Sequence, residues 1–456
     1  MSTLTIRPGR PLRGNVTVPG DKSISHRALL LGAIGEGATR AKGFLGSEDC
    51  LSTLECLVSM GAQVARPDET TIVVTGLGLR GLREPAGVLE CGNSGTTVRL
   101  LSGILAGHGF YSVVTGDASL RRRPMARITE PLRRMGATIL GRQGGSYLPL
   151  TIQGGHLRGM EYALPVASAQ VKSCLLLAAL YADGPTTLHE PAASRDHTER
   201  MLRAQGVELT AQDSHHPGGL DGRRAPRPPA LTTSTGHTMT YTIRPPASSL
   251  RPLDLVIPGD ISSAAFFLVA ASLVPGSRIC LGGVGVNPTR SGILDVLGAM
   301  GAMVTVENET VSGGEPMADL IVQAAELRGV DICGGIVPRL IDELPVIAVA
   351  ATQAQGVTTV RDAAELRVKE SDRVSALVGA LRRLGARIEE LPDGFVVEGP
   401  TLLRGAAVDS QGDHRLAMSL AIAGLVAQGE TAIAGAESIA VSFPGFERTL
   451  MDLRAS

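Results

Sequence analysis

A six-residue pattern returns along this chain: an apolar residue, two variable positions, then Met or Leu followed by Gly and Ala. It occurs at Leu57–Ala62, Leu132–Ala137, Leu297–Ala302 and Leu381–Ala386, with a weaker copy at Leu202–Val207. Glycine just past an amphipathic run stops a helix, so each copy predicts a helix C-terminus. A second pattern precedes these stops: a polar cluster opens an apolar run of helical length, and Gly and Thr then lead into a short strand. The six openings are Lys22-Ser23-Ile24-Ser25, Asn93-Ser94-Gly95-Thr96, Ser168-Ala169-Gln170, Ser262-Ser263, Ile341-Asp342-Glu343 and Gly412-Asp413-His414. They recur about every 70–95 residues, which predicts one unit of strand, helix, strand, helix and two further strands, copied six times. The runs are apolar nearly all round, as in Ala264–Ala271 and Leu416–Val426. Helices of that kind are buried, so the sheets are expected to cover them from outside.

A third repeat ties the halves together. Val18-Pro19-Gly20-Asp21-Lys22-Ser23 matches Ile257-Pro258-Gly259-Asp260-Ile261-Ser262 half a chain later. The expected fold is α/β, with two similar domains of three units each. Residues 21–256 form the first domain; residues 1–20 with 257–456 form the second. The length of 456 residues agrees with two cores rather than one. The stretch Gln212–Ser249 breaks the rhythm and reads as an extended surface loop or hairpin in the third unit; its His215-His216 pair reads as solvated loop rather than as a metal site.

Net charge is −1, so an anionic partner must be held by local Lys and Arg clusters rather than by an overall field. With no Trp and 3% aromatic residues there are few platforms for nucleic-acid bases. The six cysteines are scattered, without a C-x-x-C pair, which disfavours zinc and redox readings. The N-terminus lacks a signal-peptide core, and the longest apolar runs are about half of a membrane span. A cytoplasmic protein is expected.

Helix starts present free N–H groups and a partial positive charge, which suits anions. Ser, Asn and Asp are also ordinary caps. Capping alone does not call for cations, yet Lys22 and Arg27 flank the first start, Arg99 follows the second, and Arg415 sits at the sixth. Three further clusters add to this. Asp117–Met125 packs Arg121, Arg122 and Arg123 beside Pro124, and reads equally as an exposed basic turn. Arg367–Arg373 sets Glu370 and Arg373 one helical turn apart, which an i, i+3 pair also explains. Asp342-Glu343 heads an apolar helix, where capping alone is an adequate reason. No phosphate-binding loop of the nucleoside-triphosphate kind is present. The residues together point to two small anionic substrates with acid–base chemistry between them.

Seven of these segments resemble, in order, the signatures of the 5-enolpyruvylshikimate-3-phosphate (EPSP) synthase family: Pro19–Arg27, Gly92–Thr97, Arg123-Pro124-Met125, Ser168-Ala169-Gln170, Asp342–Pro345, Leu366–Arg373 and Asp413-His414-Arg415. Ser442-Phe443-Pro444 extends the match. The resemblance implies transfer of the enolpyruvyl group of phosphoenolpyruvate to the 5-hydroxyl of shikimate 3-phosphate, with release of phosphate. This is a step of aromatic amino acid biosynthesis and the target of glyphosate. No cofactor or metal is implied, nor a nucleic-acid or membrane partner, and a monomer is expected. By the same resemblance Lys22, Ser23, Arg27, Ser168, Gln170, Arg195, Asp342 and Lys369 hold shikimate 3-phosphate. Lys22, Asn93, Gly95, Thr96, Arg123, Gln170, Arg373 and Arg415 hold phosphoenolpyruvate. Asp342 accepts the hydroxyl proton, and Glu370, assisted by Lys22, protonates the methylene carbon.

Ser168-Ala169-Gln170 and Ser194–Thr198 resemble the class II branch, and Ala440-Val441 stand where many class I members have a basic residue. Gly95 stands where some glyphosate-tolerant members have Ala. UDP-N-acetylglucosamine enolpyruvyl transferases share the repeated architecture but carry a loop cysteine near the Arg123 region; none lies here between Cys91 and Cys174. A non-catalytic anion-binding scaffold would have lost Asp342, Glu370 or Lys22, and all three are present.

Overall fold

A computed structural model describes residues 2–215 and 237–455. Each repeat carries two long helices. In chain order they are α1 (Lys22–Ile34) and α2 (Glu48–Ser59), α3 (Gly95–Ala106) and α4 (Ala126–Met135), α5 (Ala169–Ala179) and α6 (His197–Ala204), α7 (Ile261–Leu273) and α8 (Gly292–Met300), α9 (Leu344–Gln353) and α10 (Arg373–Arg383), α11 (His414–Val426) and α12 (Phe446–Ala455). The odd-numbered helices are inner ones. Every residue of α7 from Ile261 to Ser272 is buried, as is every residue of α1 from Ile24 to Ile34. The even-numbered helices are amphipathic. α2, for example, buries Asp49, Cys50, Thr53, Cys56 and Leu57, the three-to-four spacing of one face. The glycines of the repeated stop, Gly61, Gly136, Gly206, Gly301 and Gly385, all have left-handed φ, between +91° and +117°. A side chain would be strained at each, and this is why the pattern keeps glycine there.

Among the described residues there are six small sheets, five of four strands and one of three. In the second unit Leu89–Glu90 runs parallel to Tyr111–Thr115, which pairs antiparallel with Tyr147–Gln153, and that strand with Thr138–Gly141. Strands distant in the chain complete two of the sheets. Asp254–Val256 lies parallel to Glu36–Lys42 in the first unit, and Arg13–Val16 lies parallel to Arg278–Gly285 in the fourth. The sixth unit departs from the predicted repeat: among the described residues no strand follows α12, and Thr3–Ile6 pairs antiparallel with Thr431–Ala434. In the third unit Leu209–His215 and His237–Ile243 form an antiparallel hairpin. Residues 216–236 of the irregular stretch, His216 among them, lie outside the described residues.

Two hydrophobic cores result. One is built from Ile24 to Ile257; the other combines Leu4–Val18 with residues between Ile261 and Leu453. The two Pro-Gly-Asp segments cross between them and pair with one another. Asp21 N–H donates to the Pro258 carbonyl and Asp260 N–H to the Pro19 carbonyl, each at 2.8 Å. A Cβ on Gly20 would stand 1.7 Å from the Gly43 carbonyl oxygen, so the crossing requires glycine. Among the described residues no helix is long and apolar enough to cross a membrane.

Candidate active site

The starts of the inner helices converge on a cleft of about 520 Å³ lined by residues of both cores. Of the residues singled out in the sequence, Lys22, Ser23, Asn93, Gly95, Thr96, Arg123, Ser168, Gln170, Arg195, Asp342, Lys369, Glu370, Arg373 and Arg415 line it. Arg27 does not. It is buried behind α1, donating from Nε to Thr198 Oγ1 (2.7 Å), from Nη2 to Ser173 Oγ (2.8 Å) and from Nη1 to the Ser23 carbonyl (2.9 Å). In this structure it ties α1, α5 and α6 together.

Most of the helix starts hold no free anion site of their own. Asp21, Asp260 and Asp413 cap α1, α7 and α11, and Ser94 caps α3, each accepting from a backbone N–H of the first turn. Carboxylates already occupy three of these positive ends, so the holding of substrate anions falls to side-chain cations. Asp342 and Glu343 depart from the capping explanation. α9 begins at Leu344 without a side-chain cap bond from Glu343, whose carboxylate accepts from Ser262 Oγ and lies 3.5 Å from Arg290. Asp342 turns into the cleft. The Glu370–Arg373 pair is present, Nη2 to Oε2 at 2.6 Å, but Glu370 lies in the loop before α10 rather than on a shared helical turn. Of the three consecutive arginines only Arg123 lines the cleft, joined four residues on by Arg127.

Four cations surround Asp342. Arg195 donates to Oδ2, and Arg373, Arg415 and Lys369 lie 3.1, 3.7 and 3.8 Å from Oδ1. Burial pushes the carboxyl up, but Arg415, Lys369, Arg195 and Arg373 together outweigh it and hold it well below its ordinary value. Glu370 is treated alike: burial raises it, and Arg373, His414, Arg123 and Lys369 bring it well below. Both carboxylates are therefore ionised at neutral pH. Burial disfavours the Lys22 ammonium, yet its pairing with Asp49 raises its pKa above the usual lysine value. Burial lowers Lys369 despite Asp342, and pushes His414 down to about 4, leaving that imidazole neutral. Gln170 bridges: Nε2 donates to Thr96 Oγ1 at 3.1 Å, and Oε1 accepts from Arg99.

Sequence reasoning missed Asp49, Arg127, Arg290 and Glu365 in the cleft wall. Asp49 and Arg127 lie on amphipathic helices, Arg290 in the turn before α8, and Glu365 just ahead of the Leu366–Arg373 segment, outside the motifs read from the sequence. Three contacts close the cleft between the cores: Arg195 with Asp342, Arg127 Nη1 with Glu365 Oε1 (3.1 Å), and Arg123 with Glu370 (3.9 Å). Among the described residues no group of three His, Cys, Asp or Glu is placed to hold a metal.

Comparison with known proteins agrees with this geometry. The family model for EPSP synthase (3-phosphoshikimate 1-carboxyvinyltransferase) matches residues 6–224 and 231–450. The chain is 50% identical over 450 residues to a 3-phosphoshikimate 1-carboxyvinyltransferase of Desulforamulus reducens and 52% identical to one of Geobacter sp., covering 99% of each protein in both cases. It superposes on a crystal structure of EPSP synthase from Acinetobacter baumannii with a TM-score of 0.84 and 42% identity, covering 99% of this chain and 98% of that one. The enolpyruvyl transferase NikO from Streptomyces tendae shares the fold, with a TM-score of 0.76 at 18% identity and coverage of 99% of this chain and 97% of that one. The chain belongs to the EPSP synthase family.

Proposed function

We propose that this protein transfers the enolpyruvyl group of phosphoenolpyruvate to the 5-hydroxyl of shikimate 3-phosphate, releasing phosphate. The observation that carries the reading is the meeting of Asp342, Glu370 and Lys22 in one cleft ringed by Arg123, Arg195, Arg373 and Arg415. The cores split at residues 21–256 and at 1–20 with 257–456 act as two domains that close on the substrates. The protein works in the cytoplasm, and as a monomer, a state for which one chain supplying both walls of the cleft is sufficient.

Two polyanions must be brought together, and the cations offset their mutual repulsion before any bond forms. Ser23, Ser168, Gln170, Arg195 and Lys369 hold shikimate 3-phosphate; Asn93, Gly95, Thr96, Arg123, Arg373 and Arg415 hold phosphoenolpyruvate, with Lys22 between them. Arg27 supports the first group from behind through the Ser23 carbonyl. Asp342, ionised, accepts the hydroxyl proton as the oxygen attacks C2 of phosphoenolpyruvate. Glu370, once protonated and assisted by Lys22, gives its proton to the methylene carbon. The tetrahedral adduct then returns a methyl proton to Glu370 as the C–O bond to phosphate breaks, and the leaving phosphate carries off the proton taken by Asp342.

The depressed Glu370 carboxyl has no proton to give while Arg373 and Arg123 face it. Substrate phosphate and carboxylate oxygens compete for those guanidinium groups, which weakens their hold and raises the Glu370 pKa. The Lys22 ammonium, charged throughout, supplies the remaining positive charge beside the reacting carbon. Mass spectrometry of the organic product tests the assignment: shikimate 3-phosphate should gain the mass of one enolpyruvyl group. Unchanged shikimate 3-phosphate in the presence of a folded protein would refute it.

A further inference from the structure

Nine lysines and arginines line the cleft, and among the described residues eight of them have a carboxylate oxygen within 4 Å. Arg99 is the exception. Its residue is only 4% exposed, it lies one turn into α3, and its Nε is buried without a partner. The one hydrogen bond it makes, among the described residues, is from Nη1 to Oε1 of Gln170. Arg127 and Arg123 repel it, and Glu365 and Glu370 attract it without reaching ion-pair distance; burial and the two arginines outweigh these carboxylates and push its pKa down to about 9, so it remains protonated at neutral pH. A buried cation with no carboxylate in contact is costly to a folded protein. The cost is offset if the counter-ion arrives with a substrate.

We propose that Arg99 is a further phosphoenolpyruvate-binding residue, its guanidinium left unpaired beside Gly95, Thr96, Arg123 and Gln170 so that it can pair with an anionic oxygen of that substrate. This rests on the function proposed above. It also gives Gly95 a local reason. A Cβ there would stand 2.8 Å from Arg99 Nη1 and 3.5 Å from Arg123 Nη1, with no backbone atom among its nearest contacts. The flexible end of Arg99 therefore gives way, and alanine at position 95 acts on the substrate through Arg99.

The test is steady-state kinetics of the wild-type protein, Arg99→Met, Gly95→Ala and the double variant, with thermal unfolding of each free protein. Arg99→Met should raise the KM for phosphoenolpyruvate by about 10- to 100-fold, as for loss of a hydrogen-bonded charge pair, and leave the KM for shikimate 3-phosphate within about twofold. Its thermal midpoint should not fall, because an uncompensated buried charge has been replaced by apolar atoms. In the Arg99→Met background, Gly95→Ala should have little further effect; independent actions would multiply. Arg99→Lys, which keeps the charge and loses the planar fork, should recover part of the affinity, and it carries the test if Arg99→Met does not fold. An unchanged KM for phosphoenolpyruvate, a rise confined to shikimate 3-phosphate, or multiplying effects of the two substitutions would overturn the proposal. A lowered midpoint without a selective change in KM would show that Arg99 is structural. If the wild-type protein makes no product, the functional reading fails instead. Calorimetric binding of phosphoenolpyruvate to wild-type and Arg99→Met protein then decides this one, with equal affinities counting against it.

Discussion

Replacing Asp342 by Asn removes one charge and almost no volume, and the surroundings set the size of the effect. Four cations lie within 4 Å of its carboxylate. Arg373 keeps Asp413 at 2.7 Å and Glu370 at 2.6 Å, and Arg415 keeps Glu343 at 4.0 Å, whereas among the described residues Arg195 and Lys369 keep no carboxylate within that range. The side chain is 10% exposed in a cleft open to solvent, so the loss falls between that of a surface pair and that of a sealed one, about 1–3 kcal/mol at neutral pH. Because its pKa is depressed on folding, the contribution of Asp342 is fully present above the ordinary carboxylate value. It is lost as pH falls through the lower, folded value. The stability difference between wild type and Asp342→Asn should therefore hold steady from pH 5 to 8 and narrow only in strong acid. Turnover should fall by about 100- to 10,000-fold, the usual contribution of a positioned base. Affinity for phosphoenolpyruvate should hold or improve, because Arg373 and Arg415 lose a competitor. Urea unfolding across pH, phosphate release and calorimetric binding measure the three quantities. A folded Asp342→Asn protein with more than a tenth of wild-type turnover would refute the role given to this carboxylate.

Glu370→Gln should lower kcat by at least about 100-fold while phosphoenolpyruvate binds as well or more tightly, since Arg373 loses one of its carboxylates; a kinetic split in the opposite direction counts against it. Gly20→Ala should destabilise by about 2 kcal/mol or more, because its Cβ meets a backbone carbonyl. Gly298→Ala, with open space inside α8, should stabilise by about 0.5–1 kcal/mol; urea melts of the pair check both signs. Lys172 is fully buried between Glu190 (2.8 Å) and Glu199 (2.9 Å), so Lys172→Met should cost about 3–5 kcal/mol. Part of that loss should return as pH is lowered, because burial raises Glu199 toward protonation; a loss independent of pH would contradict the charge account.

The repeats were legible because backbone geometry enforces them. A left-handed glycine ends five of the outer helices, and an all-apolar run can only be an inner helix. The two Pro-Gly-Asp segments were legible for the same reason, since the close approach of Gly20 to Gly43 tolerates no side chain. The site was legible where several polar residues share one helix start, as at Lys22-Ser23 and Asp342-Glu343. It was not legible where a single charge reaches in from an otherwise ordinary helix. Asp49 belongs to the buried face of α2, and Arg127 is the second residue of α4, and nothing in their neighbours marks either. Arg27 misled in the other direction. A basic residue one turn into α1 reads as facing the same way as Lys22, but α5 and α6 pack over it, and Ser173 and Thr198 accept from its guanidinium. Capping was misjudged at α9, where the ionic partners of Asp342 and Glu343 lie far along the chain: Lys369 and Arg373 later in the same unit, and Arg195, Arg290 and Arg415 in other units.

The most direct measurement is phosphate release from phosphoenolpyruvate, with and without shikimate 3-phosphate, by the wild-type protein and Asp342→Ala side by side. The account predicts release only when both substrates are present, and loss of that release in a variant that still unfolds cooperatively. Release from phosphoenolpyruvate alone, or full release by Asp342→Ala, would contradict it.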